Sequence, residues 1–128
     1  MIYKQQEIPE QIKKIDTCFS ITLGDVEWNG ILIETQSQAM LFLIDNFQSC
    51  CEEYDVYLEN LFDIDLEGSF VEDIKWIEDI SEDWLSCIKL ELITNRGNVY
   101  INMYNNHNGY YPHSYKIITR DYKNTGEL

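Results

Sequence analysis

Apolar residues at every second position are the feature of this sequence that most restricts its fold. In the segment 84–94, Ile88, Leu90 and Leu92 alternate with polar or charged residues, and a second apolar segment, 99–104, follows. Residues 95–98, Asn-Arg-Gly-Asn, are of the types that favour a tight turn. Successive side chains of a strand point to opposite faces, so a period of two indicates strands with one buried face. The sequence therefore predicts an antiparallel hairpin over residues 84–104.

Strand patterns also cover most of the remaining sequence between residues 26 and 119. In the segment 26–33, apolar residues alternate on both sides of Asn29 and Gly30, a pair typical of a tight hairpin turn or a bulged strand. The segment 69–80 has spacings that fit either a helix or a strand, and we expect a strand. Further strands are expected over residues 38–47, 53–58 and 111–119.

The two ends of the sequence differ from this strand-rich middle. Ile8, Ile12 and Ile15 have helical spacing, and Pro9 lies where a first helical turn could start, so a short amphipathic helix is expected there. The residues after Asp121 are polar and are expected to fray. The 128 residues suffice for one domain, with an N-terminal helix or extension over 1–16, a β core over 17–120 and a polar tail over 121–128.

The expected fold class is mainly β with a minor helical part. We expect a single antiparallel sheet that curls over its own core, or a partly open barrel, with the short helix at its N-terminal end. A composition of 45% hydrophobic and 13% aromatic residues excludes a disordered chain. Residues 1–14 contain no apolar stretch long enough for a signal sequence or a membrane span, so we expect a cytoplasmic protein.

The charge balance restricts the partners that such a protein can bind. Asp and Glu number 23 against 9 Lys and Arg, which gives a formal net charge of −14. A protein that binds nucleic-acid phosphates or anionic lipid needs a broad basic surface, which this composition argues against. We therefore expect no direct binding to nucleic acid and no membrane association.

Most of this negative charge lies between residues 52 and 83. That segment contains thirteen acidic residues and one basic residue, Lys75. Carboxylates at alternate strand positions would project from one face about 6.6 Å apart, a spacing comparable to that of charge along a nucleic-acid strand. The segment could therefore occupy a basic nucleic-acid-binding groove of another protein, or it could be a solvated face that serves only solubility. The candidate partner-binding residues are Glu72, Asp73, Glu78, Asp79, Glu82 and Asp83, with Tyr110 and Tyr111 as aromatic contacts.

Two short segments carry a family resemblance. They are residues 48–52, Gln-Ser-Cys-Cys-Glu, and residues 107–113, His-Asn-Gly-Tyr-Tyr-Pro-His, with a weaker third match at residues 66–69. Over residues 26–118 the chain resembles an uncharacterised family of small bacterial and phage proteins, in which a Cys-Cys-Glu element follows one strand and an Asn-Gly-Tyr-Tyr element precedes another. The resemblance implies a fold expectation and a phage association, and it implies no known activity.

The four cysteines leave several interpretations open. Their spacing does not match a zinc site, so we expect reduced, mostly buried structural thiols, with at most one of Cys50 and Cys51 lining the core. A transition-metal site would need one of these two thiols close to His107 or His113 in the fold. A thiol and base pair of Cys51 and His107, oriented by Asn106 or Asn108, is a further possibility, although residues 105–109 are more simply explained as a turn.

A calcium site is the remaining metal alternative. Asp63, Asp65, Glu67 and Gly68 match the first half of an EF-hand loop. The twelfth position of that loop needs a bidentate Glu, and the sequence has Ile74 there. The pattern therefore gives little support to a dedicated calcium site.

The leading functional hypothesis is a non-enzymatic acidic interaction protein without a cofactor. Its expected partner is a host nucleic-acid-handling protein whose basic groove the acidic segment occupies, as an anti-CRISPR-like inhibitor encoded by a phage or prophage would do. The alternative is a small ligand- or metal-binding domain, possibly with catalytic activity, built from Cys50, Cys51, Glu52, His107 and Tyr110. A self-associating or virion component is a third possibility.

Overall fold

The computed structural model describes residues 1–48, 50–82, 84–106 and 111–128, and these residues form β-strands and loops with no helix. The nine strands are β1 (Glu10–Leu23), β2 (Val26–Thr35), β3 (Ala39–Asp45), β4 (Glu53–Glu59), β5 (Phe70–Ser81), β6 (Leu85–Thr94), β7 (Gly97–Asn106), β8 (Ser114–Ile118) and β9 (Lys123–Glu127). The fold class is therefore all-β. Among the described residues, none belongs to a helix that could cross a membrane.

All nine strands belong to one antiparallel sheet, in the order β4-β7-β6-β5-β1-β2-β3-β8-β9. The link between β5 and β1 is short, because only Glu10 with Val71 and Gln11 with Phe70 are paired there. The sheet is not closed, since β4 and β9 form its two edges. The expected single antiparallel sheet is confirmed, but it is neither closed nor strongly curled, so the expectation of a curled sheet or a partly open barrel was wrong.

One hydrophobic core serves both halves of the sheet. It includes Phe42 and Ile33 from the β2–β3 side together with Ile101 and Leu90 from the β6–β7 side, all of them fully buried. Strand β2 contacts β4, and β3 contacts both β4 and β7, although these strands are far apart in the sheet order. In β6 the burial alternates strictly with a period of two, as the sequence predicted.

The expected N-terminal helix is instead the start of β1. Ile12 is fully buried and pairs with Thr35 of β2, whereas Ile8 is 76% exposed and lies before the strand. A β-bulge between Ile12 and Lys14 adds one residue to β1, so Ile12 and Ile15 reach the same face at a spacing of three. This spacing imitates a helix, which explains why the prediction failed.

Asn29 and Gly30 do not form a turn. Both lie within the continuous strand β2, and a bulge occurs in β1 opposite them, between Asp16 and Phe19. The chain turns instead between Leu23 and Val26, where Gly24 has a φ of 64°. The hairpin interpretation of Asn29 and Gly30 was wrong, and the bulge lies on the neighbouring strand.

The remaining strand predictions agree with the structure in type and place. The β6–β7 hairpin is confirmed, with Thr94 paired to Gly97 at its turn. Strands β3, β4, β5 and β8 lie within or near the segments predicted for them. The residues after 121 do not fray, because β9 pairs along β8 and Leu128 is buried.

Candidate functional site

A buried polar cluster surrounds His113, whose side chain is fully buried. Its Nδ1 atom lies 2.6 Å from Oδ1 of Asp45, and its Nε2 atom lies 3.5 Å from Oε2 of Glu52, which is also fully buried. Buried ionisable groups lose their hydration and therefore need polar partners. The two carboxylates lie beside the buried imidazole as such partners. We call Asp45, Glu52, Tyr54, Asn105 and His113 the His113 cluster.

The His113 cluster joins elements that are far apart in sequence. Asp45 ends β3, and its Oδ2 accepts a hydrogen bond of 2.6 Å from the backbone N–H of Ser114, which begins β8. The backbone of His113 pairs in both directions with that of Leu128. Asn105 donates through Nδ2 to the carbonyl oxygens of Tyr111 and Leu128, at 2.8 and 3.0 Å. These contacts fix the ends of β3, β7 and β8 against the residue that follows β9.

The ring of Tyr54 covers the imidazole. The Tyr54 and His113 rings are stacked, with centroids 3.8 Å apart and an angle of 26° between their planes. Burial raises the pKa of the Tyr54 phenol, and the nearby carboxylates of Asp45 and Glu52 raise it further. Tyr54 therefore stays neutral and covers one face of the imidazole ring.

Two exposed thiols lie beside this cluster. The Sγ atoms of Cys50 and Cys51 are 3.0 Å apart, and both residues are exposed. The backbone N–H of Cys50 donates a hydrogen bond of 2.9 Å to Oε1 of Glu52. A hydrogen bond with Cys50 raises the pKa of the Cys51 thiol and of the Tyr111 phenol. The expectation of buried structural cysteines was wrong here, because a loop rather than a strand carries the pair.

The structure thus brings the two family-like segments together. Cys50 of the first segment shares a hydrogen bond with Tyr111 of the second, and Glu52 of the first lies 3.5 Å from His113 of the second. Sequence reasoning could not show this proximity. His107 and Tyr110, which the ligand-binding alternative uses, and Asn108 lie outside the described residues. Within the described parts of the chain, no three His, Cys, Asp or Glu side chains are grouped to hold a metal ion.

The calcium-like loop has another structural role. The guanidinium group of Arg96 donates from Nη1 to the backbone carbonyl oxygens of Asp65 and Glu67, at 2.8 and 3.0 Å. These carbonyl groups are therefore directed toward the β6–β7 turn. Arg96 fastens the loop between β4 and β5 to this turn, and we find no grouping of cation ligands there among the residues described.

A second candidate surface is the face of β4, β7, β6 and β5 that points away from the core. Strand pairing places Tyr57, Asn102, Lys89 and Glu78 in one row across these strands. Residues opposite each other in a sheet project to the same face, and the neighbouring positions Val56, Met103 and Ile88 belong to the core. Most of the outward residues define what we call the acidic tyrosine face: Glu53, Asp55, Tyr57, Glu59, Asp73, Lys75, Glu78, Cys87, Lys89, Glu91, Tyr100, Asn102 and Tyr104.

Ring and charge contacts order the side chains of this face. The rings of Tyr57 and Tyr104 meet edge to face at 5.9 Å. Lys89 lies 3.4 Å from the carboxylate of Glu59 and 4.6 Å from the ring centroid of Tyr100. Although partial burial disfavours its charge, the hydrogen bond to Glu59 and the negative charge of nearby Glu78 raise the pKa of Lys89. The face therefore combines ordered tyrosines with an excess of carboxylates.

The fold places the acidic residues selected from sequence on different faces of the sheet. Asp73 and Glu78 lie on the acidic tyrosine face, whereas Asp79 pairs with Ile88 and so projects to the opposite side, where its charge contributes to the raised pKa of Tyr115. The exposed Glu72 lies at a bulge of β5, and the exposed Glu82 follows that strand. Because bulges shift the alternation, the described acids of this segment do not form the single row that regular spacing suggested.

Two of the partner-binding candidates cannot be placed, and one lies elsewhere. Asp83 and Tyr110 lie outside the described residues. Tyr111 lies beside Cys50 and the His113 cluster, away from the acidic tyrosine face. Sequence reasoning missed Glu53, Asp55 and Tyr57 of β4 as surface candidates. Their signal was the alternation of polar and apolar residues over 53–58, with the polar set facing outward.

Comparison with known proteins gives one match. No curated protein and no solved structure matches this chain. Residues 2–117 match a family described as "Domain of unknown function (DUF7448)". The predicted membership of an uncharacterised family is thereby confirmed at that level, whereas the phage association stays a prediction. Because the match covers most of the sequence, the chain belongs to the DUF7448 family.

Proposed function

We propose that this protein is a non-enzymatic interaction protein whose acidic tyrosine face binds the basic nucleic-acid-binding groove of another protein. In its most specific form, the protein is an anti-defence inhibitor of the anti-CRISPR kind, encoded by a phage or prophage, and its partner is a host nucleic-acid-handling protein. The observation that carries the proposal is the composition of this one sheet face, on which six carboxylates and two lysines surround three tyrosines.

Charge complementarity favours a basic partner. Carboxylates from three strands, β4, β5 and β6, lie on the same face, so their fields add rather than point in different directions. Such a surface speeds encounter with a basic groove and disfavours acidic partners. A groove that normally holds phosphates at regular intervals presents the complementary lysine and arginine side chains.

The tyrosines supply the contact area that carboxylates alone lack. Tyr57 is 42% exposed, and Tyr100 and Tyr104 are half-buried beside it. Tyrosine is enriched in protein interfaces because it buries a large apolar ring and keeps a hydroxyl for hydrogen bonding. Between these rings, the Nδ2 amide of Asn102 is buried and has no hydrogen-bond partner among the described residues. A partner's acceptor group could satisfy this donor.

A matched pair of charge-reversed variants tests the proposal. The face variant carries Glu53→Lys, Asp55→Lys and Glu78→Lys, whereas the control variant carries Glu7→Lys, Asp25→Lys and Glu34→Lys at exposed positions elsewhere. Both variants change the net charge equally. Wild type and variants serve as bait in nuclease-treated host lysate, and the affinity of any captured protein is then measured with and without its nucleic acid.

We expect wild type and the control variant to bind one nucleic-acid-handling protein and to displace its nucleic acid. The face variant should bind at least about tenfold more weakly, and association with wild type should slow steeply as salt increases. Equal losses in both variants would show that only net charge matters. Simultaneous binding of this protein and the nucleic acid would refute occupation of the groove.

A further inference from the structure

Cys50 and Cys51 form an exposed pair of thiols that the proposed function does not use. Their Sγ atoms are 3.0 Å apart, within hydrogen-bond range for sulfur. The chain also contains an exposed single thiol, Cys18 of β1, and a half-buried one, Cys87 of β6. Adjacent residues in an extended strand project to opposite faces, so contact between neighbouring side chains requires the loop conformation seen here.

The surrounding residues hold the pair in this arrangement. The backbone N–H of Cys50 is bound by Oε1 of Glu52, at 2.9 Å, and Gln48 donates from Nε2 to the carbonyl oxygen of Glu52, also at 2.9 Å. Glu52 is itself buried beside His113, whose Nε2 lies 3.5 Å from its Oε2. The thiols are therefore exposed to solvent, while contacts with the core of the protein hold the backbone that carries them in place.

Cys50 contacts two groups that carry protons: the Cys51 thiol, to which its Sγ donates a hydrogen bond, and the Tyr111 phenol. The Cys51 thiol and the Tyr111 phenol both share hydrogen bonds with it, and these bonds raise the pKa of both neighbours. Cys51 and Tyr111 therefore favour their protonated forms beside Cys50. The thiolate is the reactive form of cysteine, so this arrangement makes Cys50 the attacking sulfur and Cys51 the second thiol.

We propose that Cys50 and Cys51 form a redox-modification site, which a hydroperoxide oxidises to a vicinal disulfide. The Cys50 thiolate attacks the peroxide oxygen, forming a sulfenic acid and releasing water after protonation when the oxidant is hydrogen peroxide. The sulfur of Cys51 then attacks the Cys50 sulfur, loses its proton and expels a second water molecule. In total, two thiols are oxidised and one hydrogen peroxide is reduced to two waters.

The geometry favours the second step over further oxidation of Cys50. A disulfide bond is about 2.05 Å long, so the two sulfur atoms need to approach by only about 1 Å. A sulfenic acid with a thiol in contact condenses before it meets a second oxidant molecule. Cys18 has no such neighbour in the described structure and provides a comparison within the same chain.

Limited oxidation followed by mass spectrometry tests this site. The reduced protein is treated with one equivalent of hydrogen peroxide, alkylated and digested. We expect the peptide containing Cys50 and Cys51 to lose about 2 Da, the mass of two hydrogens, and to regain it with dithiothreitol. Its thiols should be consumed at least about tenfold faster than that of Cys18. In a Cys51→Ser variant, the same conditions should instead leave a Cys50 sulfenic acid that a dimedone reagent traps.

Two further comparisons distinguish a site that the fold arranges from two cysteines that are merely adjacent in the sequence. In urea-unfolded protein, oxidation of the pair should be slower than in the folded protein. A Tyr111→Phe variant should slow the folded reaction while leaving Cys18 unaffected. Equal rates for the pair and Cys18, equal rates in the folded and unfolded chain, or mass gains by oxygen without a disulfide would each overturn the proposal.

Discussion

Glu10 is a carboxylate that the fold buries almost completely, with 1% of its surface exposed. It lies at the start of β1, where Arg120 donates to it from Nη1 and Nη2 at 3.0 and 3.3 Å. Gln38 donates to both of its oxygens, at 3.1 and 2.9 Å, and Ser37 and Thr35 add hydroxyl hydrogen bonds. These hydrogen bonds satisfy the negative charge of Glu10. They also join the start of β1 to the turn between β8 and β9.

The Glu10 network predicts a specific acid sensitivity. Burial opposes ionisation of Glu10, but the hydrogen bonds from Arg120 and Ser37 outweigh it and lower its pKa from 4.5 to about 2. A carboxylate with a lowered pKa stabilises the fold above its unfolded pKa, and this contribution disappears as the pH falls toward the folded pKa. We expect Glu10→Gln to be less stable than wild type at neutral pH, and the difference to shrink by up to about 3 kcal/mol between about pH 4.5 and pH 2.

Urea unfolding of wild type and Glu10→Gln over this pH range measures that difference. Glu7→Gln serves as the control, because it removes one carboxylate from an exposed side chain three residues earlier. Parallel stability curves for wild type and Glu10→Gln would contradict the prediction.

At the scale of secondary-structure elements, the pairing of β2 with β3 depends on Gly30. A Cβ atom on Gly30 would collide with the backbone carbonyl oxygen of Phe42. Gly24, at the β1–β2 turn, has open space around the same position but a φ of 64°, which side chains rarely adopt. The two glycines are therefore required for different reasons, close approach of backbones in one case and turn conformation in the other.

These reasons predict different costs for the same substitution. Gly30→Ala should force β2 and β3 apart and lower the free energy of unfolding by about 3 kcal/mol, the upper end of the usual cost of overpacking. Gly24→Ala should cost about 1 kcal/mol, through backbone strain alone. Denaturant unfolding of both variants measures these losses. An equal loss of unfolding free energy in the two variants, or a larger loss in Gly24→Ala, would contradict the close pairing of β2 with β3.

At the scale of the whole molecule, self-repulsion opposes folding. The chain has a formal net charge of −14, and many of its carboxylates lie on one half of the sheet. The Glu10 carboxylate, which is paired with Arg120, is buried and little screened by dissolved ions, whereas the exposed carboxylates are screened. Dissolved salt should therefore weaken the repulsion more than it weakens this internal pair.

We expect added sodium chloride to stabilise the protein at neutral pH. Between about 20 mM and 0.5 M salt, the Debye length falls from roughly 20 Å to about 4 Å, which screens the repulsion between surface carboxylates. The Tm should rise by about 3 °C, corresponding to about 1 kcal/mol. Thermal unfolding followed by circular dichroism measures this shift. The face variant and its control, each less negative than wild type, should show smaller increases, and a Tm that falls with salt would contradict the prediction.

Local sequence patterns predicted most of the strands because burial in a sheet has a fixed period. The β6–β7 hairpin needed only alternating apolar residues and a turn at residues 95–98, and it is confirmed. The pattern failed where bulges interrupt the period, as at Ile12 and Ile15 of β1. It also failed for β9, where polar residues form a strand because the edge of β8 is available for pairing.

The sites were less predictable, since they depend on contacts between distant residues. Sequence analysis identified Cys50, Cys51 and Tyr111 individually, and it named His113 only as one possible metal ligand. It could not show that Asp45, 68 residues before His113, supplies the carboxylate bound to the imidazole. Nor could it tell which of the neighbours Glu78 and Asp79 faces away from the core, because the bulge at Ile77 that decides this has no clear signal in the sequence.

The sequence by itself determined the β character of this protein, its main hairpin and its excess of negative charge. These properties depend on composition and on the period of neighbouring residues, which act locally along the chain. The order of the nine strands, the burial of Glu10 and His113 and the outward set of tyrosines and carboxylates were decided by tertiary structure. Each of them depends on which strands pair and in what register, and those choices are made by long-range packing around one shared core.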